Sequence, residues 1–195
     1  MAKKFFAAVI ALALLGCCRQ QPGPAETNAA AKEPPLANAK AAATDGDTVA
    51  EALRAKLVET GDGFGTDTRY LVAFSDLDKD GSDEALLYLI DPGRCGPLGC
   101  ALFVLQPDGN GGWAVRNAIG PSKLPVYRLD HRTDKWADLG VTIVSGGKRQ
   151  LMAVPHGAQG YAADPNAPPI KAANKVGATL LITDDEAKSV TVVKR

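Results

Sequence analysis

The sequence predicts an α+β or mainly β chain, with one N-terminal helix followed by an antiparallel sheet of short strands. Three observations carry this. One window shows the helical period: Val49, Leu53 and Leu57 recur every fourth residue and stack one apolar stripe on a helix of roughly Thr48–Glu59. From Arg69 onward, short aliphatic, β-branched and aromatic runs alternate with glycine, proline or aspartate clusters. Two of those clusters, Asp108-Gly109-Asn110-Gly111-Gly112 and Ser145-Gly146-Gly147, have the composition of hairpin turns, and short connections imply antiparallel neighbours.

The helix opens on Thr48-Val49-Ala50-Glu51, whose hydroxyl and carboxylate stand at capping-box spacing, and Gly61, Gly63 and Gly65 end it. Its apolar face is narrow and its other face charged, which suits a helix laid over a sheet. The expected strands are Tyr70–Phe74, Ala85–Ile90, Leu102–Leu105, Trp113–Val115, Val126–Leu129, Val141–Val144, Leu151–Val154, Thr179–Ile182 and Val190–Val193. Gly157–Ala173 carries Pro165, Pro168 and Pro169 and few core residues, and reads as a long loop. One helix followed by a run of short strands argues α+β or mainly β.

Ahead of this domain, at 47–195, two segments of other character appear. Lys3 and Lys4 precede the unbroken apolar run Phe5–Leu15, and Leu14-Leu15-Gly16-Cys17 follows. As a helix the run rises only ~17 Å, against a hydrocarbon core of ~30 Å, so it is too short to span and reads as a signal-peptide segment over 1–16. The tetrapeptide ending at Cys17 resembles the bacterial lipobox, which implies lipid attachment at Cys17. Leu15 departs from the small or β-branched residue usual there, and an ordinary secretory signal is the alternative. The resemblance also implies the outer membrane, because Cys18 rather than Asp follows the acceptor, with the protein on its periplasmic face. Each buried methylene contributes about 0.8 kcal/mol, so several acyl chains make a firm anchor. The stretch 17–46 is rich in Ala, Pro, Lys and Glu without a core-forming period, and is expected to be a disordered tether spanning roughly 30 Å as a coil.

The charges exclude a nucleic-acid partner. The chain has 22 basic and 22 acidic residues; without Lys3 and Lys4 the basic count falls to 20, and no basic stripe exists for a phosphate backbone.

The sharpest internal motif is Asp76-Leu77-Asp78-Lys79-Asp80-Gly81-Ser82-Asp83-Glu84. Alternate carboxylates converge on one point and glycine permits the turn back, which is the opening of a calcium loop. The expected ligands are Asp76, Asp78, Asp80, the backbone carbonyl of Ser82 and Glu84, with calcium as the cofactor. An EF-hand needs Glu at position twelve, where Leu87 stands. The motif resembles the strand–loop–strand calcium loops of the integrin α-subunit repeat, although a single copy excludes a propeller. A solvated acidic turn uses the same residue types.

Cys95-Gly96-Pro97-Leu98-Gly99-Cys100 places two cysteines in one short loop, where an exported chain oxidises them to a disulfide. Closing a loop of that size limits the unfolded chain by ~2 kcal/mol. Zinc needs more soft ligands than this loop offers.

No nucleophile elbow, zinc-protease helix or phosphate-binding glycine loop is present, so no catalytic residue is assigned. His131 and His156 read as surface or loop residues. Trp113, Trp136, Tyr127 and Tyr161 read as core or rim aromatics. Asp62, Asp67, Asp130, Asp134 and Asp138 are acids whose separation sequence does not show.

Tyr70–Pro169 resembles a family of uncharacterised proteobacterial lipoproteins, through YLVAF, the DLDKDGSDEALLYLI block, the Cys–Gly–x–x–Gly–Cys loop, ALFVLQPDG, Trp136-Ala137-Asp138-Leu139, Ser145-Gly146-Gly147, and Tyr161 followed by Asn166. That resemblance implies fold and location, not activity. The sequence therefore points to a non-catalytic binding or structural module anchored to a membrane by lipid, with a protein partner in the periplasm or wall as a possible target. One alternative is an inhibitor, or immunity protein, of lysozyme-like peptidoglycan hydrolases, presenting Ser145–Lys148 or Gly157–Gly160. A second is an envelope hydrolase.

Overall fold

In the computed structural model the chain is described over residues 37–168 and 170–191, and side chains from residue 46 to 190 within that range. One helix precedes a large antiparallel sheet, so the protein is mainly β with an N-terminal helix. The elements are α1 (Ala37–Glu59), β1 (Arg69–Ser75), β2 (Glu84–Ile90), β3 (Cys100–Pro107), β4 (Trp113–Thr133), β5 (Trp136–Ser145), β6 (Lys148–Val154), β7 (His156–Gly157), β8 (Gly160–Tyr161), β9 (Lys171–Ala172), β10 (Thr179–Ile182), a 3-10 turn at Glu186–Lys188, and β11 (Val190–Thr191).

The strands follow one ladder, β11-β1-β2-β3-β4-β5-β6-β9, with β10 on the second edge of β4. The ladder folds on β4. Its first half pairs with β3 from Trp113 to Ser122, and its second half pairs with β5 from Lys123 to Thr133. The inner faces of the two leaves meet in a cluster containing Leu86, Tyr88, Leu102, Ile119, Val126, Leu139, Val141 and Ile182. A second cluster lies on the other face of the first leaf, where Val49, Ala50 and Leu53 of α1 cover Tyr70, Leu87, Leu89, Phe103 and Leu105. β2 is thus sandwiched between α1 and the second leaf, and every one of its residues is buried. Its odd positions face the helix and its even positions face the second leaf.

Several sequence expectations shift. α1 has 23 residues and begins at Ala37, so Thr48 is not its first residue and Ala37–Gly46 is helical rather than a tether. The Ala-rich stretch has the propensity to continue the helix. Asp47 contributes a tertiary anchor: its Oδ1 accepts a hydrogen bond from the Tyr70 hydroxyl at 2.7 Å. The remaining expectations for 1–16 and for the tether before Ala37 lie outside the described residues.

Trp113–Val115 and Val126–Leu129, expected as separate strands, are parts of one strand of 21 residues. Gly120, Pro121 and Pro125 lie inside that strand. They sit where the β3 and β5 pairings shift register, so a missing ladder donor costs little there. Gly157–Ala173 is not wholly a loop: it holds β8, β9 and the buried Tyr161, whose hydroxyl donates to the Ala137 carbonyl at 2.6 Å. Among the described residues no helix is long and apolar enough to cross a membrane.

Candidate functional site

The acidic loop joins β1 to β2 and is shaped largely by its own carboxylates. Asp76 Oδ1 accepts from the Lys79 N–H at 2.6 Å, and Asp76 Oδ2 from the Gly81 N–H at 3.2 Å. Asp78 Oδ1 accepts from the Asp80 N–H at 3.0 Å, and Asp80 Oδ1 from the Ser82 N–H at 2.7 Å. Gly81 has φ +93°, a left-handed conformation that glycine adopts without steric cost, which is why the motif carries glycine there. Across the loop, Glu84 Oε2 accepts from the Leu77 N–H at 2.8 Å.

The result is that one oxygen each from Asp76, Asp78 and Glu84 lies within 4.8 Å of the others. Asp80 is not a member of that trio, and its carboxylate holds the Ser82 amide instead. Glu84 is 1% exposed, whereas Asp76 and Asp78 are half-buried. Burial first, then the nearby Asp78 and Asp80 carboxylates, push the Glu84 carboxyl up to about 7, against the opposing hydrogen bonds from the Leu77 amide and the Gln106 side chain. An all-oxygen, anionic donor set of this kind fits a hard divalent cation. The backbone amides occupy one lone pair of each oxygen and leave another for a metal.

Leu77 ties this loop to the second leaf. Its carbonyl accepts from the Ala137 N–H and from the Arg132 guanidinium, both at 2.8 Å, while its side chain is fully buried in the inter-leaf core. Arg132 also donates to the Lys135 carbonyl. The turn from β4 to β5 is thereby fixed against the loop, and the next residue is Trp136.

Around Trp136 lies a group that sequence reasoning missed. The His156 ring stacks on the indole at 4.3 Å between centroids and 7° between planes, and Tyr161 meets both rings edge-on. His156 is therefore not an incidental loop residue. Its Nδ1 is buried without a hydrogen-bond partner, and burial holds the imidazole below its usual range despite the Asp134, Asp78 and Asp138 carboxylates nearby. Beside the stack is a cavity of about 290 Å³ reached by Gln106, Arg116, Asn117 and Gln159. The only signal in the chain was the Trp136-Ala137-Asp138-Leu139 strand entry, which says nothing of a histidine twenty residues on.

His131 likewise has a role. Its side chain is 75% exposed, yet Nδ1 lies 2.6 Å from Oδ2 of the buried Asp138. Of Asp62, Asp67, Asp130, Asp134 and Asp138, only Asp138 is buried. Cys95 and Cys100 form the expected disulfide, with Cα atoms 4.4 Å apart. Ser145-Gly146-Gly147 lies at the exposed β5–β6 turn, and Gly157–Gly160 forms the β7–β8 hairpin. Cys17 lies outside the described residues.

No protein-family model, curated protein or solved structure matches this chain.

Proposed function

We propose that this chain is a lipid-anchored lipoprotein of the outer membrane, attached through Cys17 and facing the periplasm, that acts as a non-catalytic binding or structural module stabilised by calcium. The observation that carries the calcium reading is the convergence of Asp76, Asp78 and Glu84 with Glu84 buried. Three carboxylates this close repel one another, and a buried member has little water to screen it. A divalent cation held by Asp76, Asp78 and Glu84 offsets both costs. Bound there, it supplies charge neutralisation and cross-links the end of β1 to the start of β2. The loop carboxylates also hold the loop's own amides, which favours a structural role over turnover.

The test is thermal melting of the purified chain in millimolar calcium and in chelator. Calcium raises the midpoint of the wild type, and Asp78→Ala abolishes the difference. Identical melting of both proteins in both conditions defeats the calcium reading and leaves an acidic turn.

A further inference from the structure

We propose a second binding site, next to the acidic loop through Gln106, in the cavity walled by the Trp136–His156 stack, and that it takes a neutral polyhydroxylated ring of the pyranose class. The cavity of about 290 Å³ is of the size of a small ring compound and is lined by the stack, Val104 and four polar side chains. Three of those four, Gln106, Arg116 and Asn117, are held by hydrogen bonds within the fold. Arg116 Nε donates to Gln106 Oε1 at 2.9 Å, leaving the two terminal guanidinium nitrogens as donors. Asn117 Nδ2 donates to the Tyr161 carbonyl at 3.2 Å, leaving the amide oxygen as an acceptor. Gln159, exposed at the β7–β8 turn, brings one donor and one acceptor group. His156 Nε2 makes no hydrogen bond to a described residue.

Preorganised donors and acceptors in mixture match hydroxyl groups, each of which gives and takes a hydrogen bond. The aromatic stack matches the apolar C–H face that such a ring presents between its hydroxyls. No carboxylate lines the cavity to hold a cation. The one cationic side chain, Arg116, is exposed, where water and salt screen its charge, so the hydrogen-bonding groups rather than net charge select the ligand.

The test uses the intact chain in a sugar-free detergent. The sequence has two tryptophans, so Trp113→Phe leaves Trp136 as the sole emitter. Methyl β-glucoside, N-acetylglucosamine, maltose and cellobiose are titrated as neutral probes, with glucuronate and glucosamine as the anionic and cationic counterparts. At least one neutral sugar produces a saturating shift of Trp136 emission, and the same sugar shows saturation-transfer NMR contacts with the unsubstituted chain. Gln159→Ala, on an exposed turn, weakens that binding at least tenfold without moving the melting temperature; Arg116→Ala does the same. The proposal is overturned if no neutral sugar gives a saturation-transfer signal, if glucuronate or glucosamine binds more tightly than every neutral probe, or if Gln159→Ala and Arg116→Ala both leave affinity unchanged. NMR on the unsubstituted chain decides the matter should Trp113→Phe not fold.

Discussion

The backbone N–H of Leu77 donates to Oε2 of Glu84 across 2.8 Å, and this bond brings the only fully buried carboxylate of the acidic loop against its two half-buried partners. The consequence is a definite pH dependence. The Glu84 carboxyl is raised from its ordinary value of 4.5 to about 7 in the folded chain. A group raised in this sense takes up its proton in the folded state before the unfolded chain does, so folding stability increases as pH falls from about 7 toward 4.5. In chelator, the wild type therefore gains melting temperature between pH 7.5 and pH 5.5 relative to Glu84→Gln, which carries no titrating group there. Calcium removes the gain by favouring the ionised form. Parallel pH profiles for the two proteins in chelator are the result that counts against this account.

Asp91 is a buried carboxylate of opposite sign. Burial raises its pKa, but hydrogen bonds from the Gly65 and Gly93 amides and the Thr68 hydroxyl, together with the Arg94 guanidinium, bring it below its ordinary range. Its contribution is complete above the unfolded pKa and is lost as pH falls through the lowered folded value. Asp91→Ala strands those donors and costs about 2–4 kcal/mol in urea unfolding at neutral pH. The penalty shrinks in strong acid. A neutral-pH loss below 1 kcal/mol, on the order of a surface substitution, contradicts the assigned role.

Gly99 stands in the disulfide loop at φ +123°, and a Cβ built there meets the Ser122 carbonyl oxygen at 1.7 Å. Ser122 is itself fully buried, and its carbonyl accepts from the Tyr88 hydroxyl. The clash has no flexible side chain to absorb it. Gly99→Ala destabilises the oxidised protein by roughly 3 kcal/mol or more, whereas Gly96→Ala, whose Cβ meets nothing, costs far less. Equal urea midpoints for the two variants rule this out.

Lipid attachment at Cys17 is tested directly. Cys17→Ala abolishes acyl labelling and shifts the protein from the membrane fraction, while Cys18→Ala does neither. Normal labelling of Cys17→Ala removes the anchor from the proposed function.

Local sequence determined the parts whose signals are local. The stripe Val49–Leu53–Leu57 is the buried face of α1, because helical period alone selects it. Thr179–Ile182 is a strand over those residues, and the runs around Tyr70, Leu86, Leu102, Val141 and Leu151 each lie within one. Two cysteines five residues apart are bridged, since their loop has few ways to close. Tertiary structure decided the rest. That β4 continues through Gly120, Pro121 and Pro125 depends on two different strands pairing with its two halves, a fact of topology rather than propensity. Glu84, one methylene longer than Asp76 and Asp78, also differs from them in being buried, and burial comes from the second leaf closing over β2, which its own residues do not encode. The Trp136–His156 stack joins two residues from different strands, and Asp91 gathers donors from a loop 26 residues away. Periodicity and composition report which face of an element is apolar. Which polar groups end up sharing that interior is set only when the faces meet.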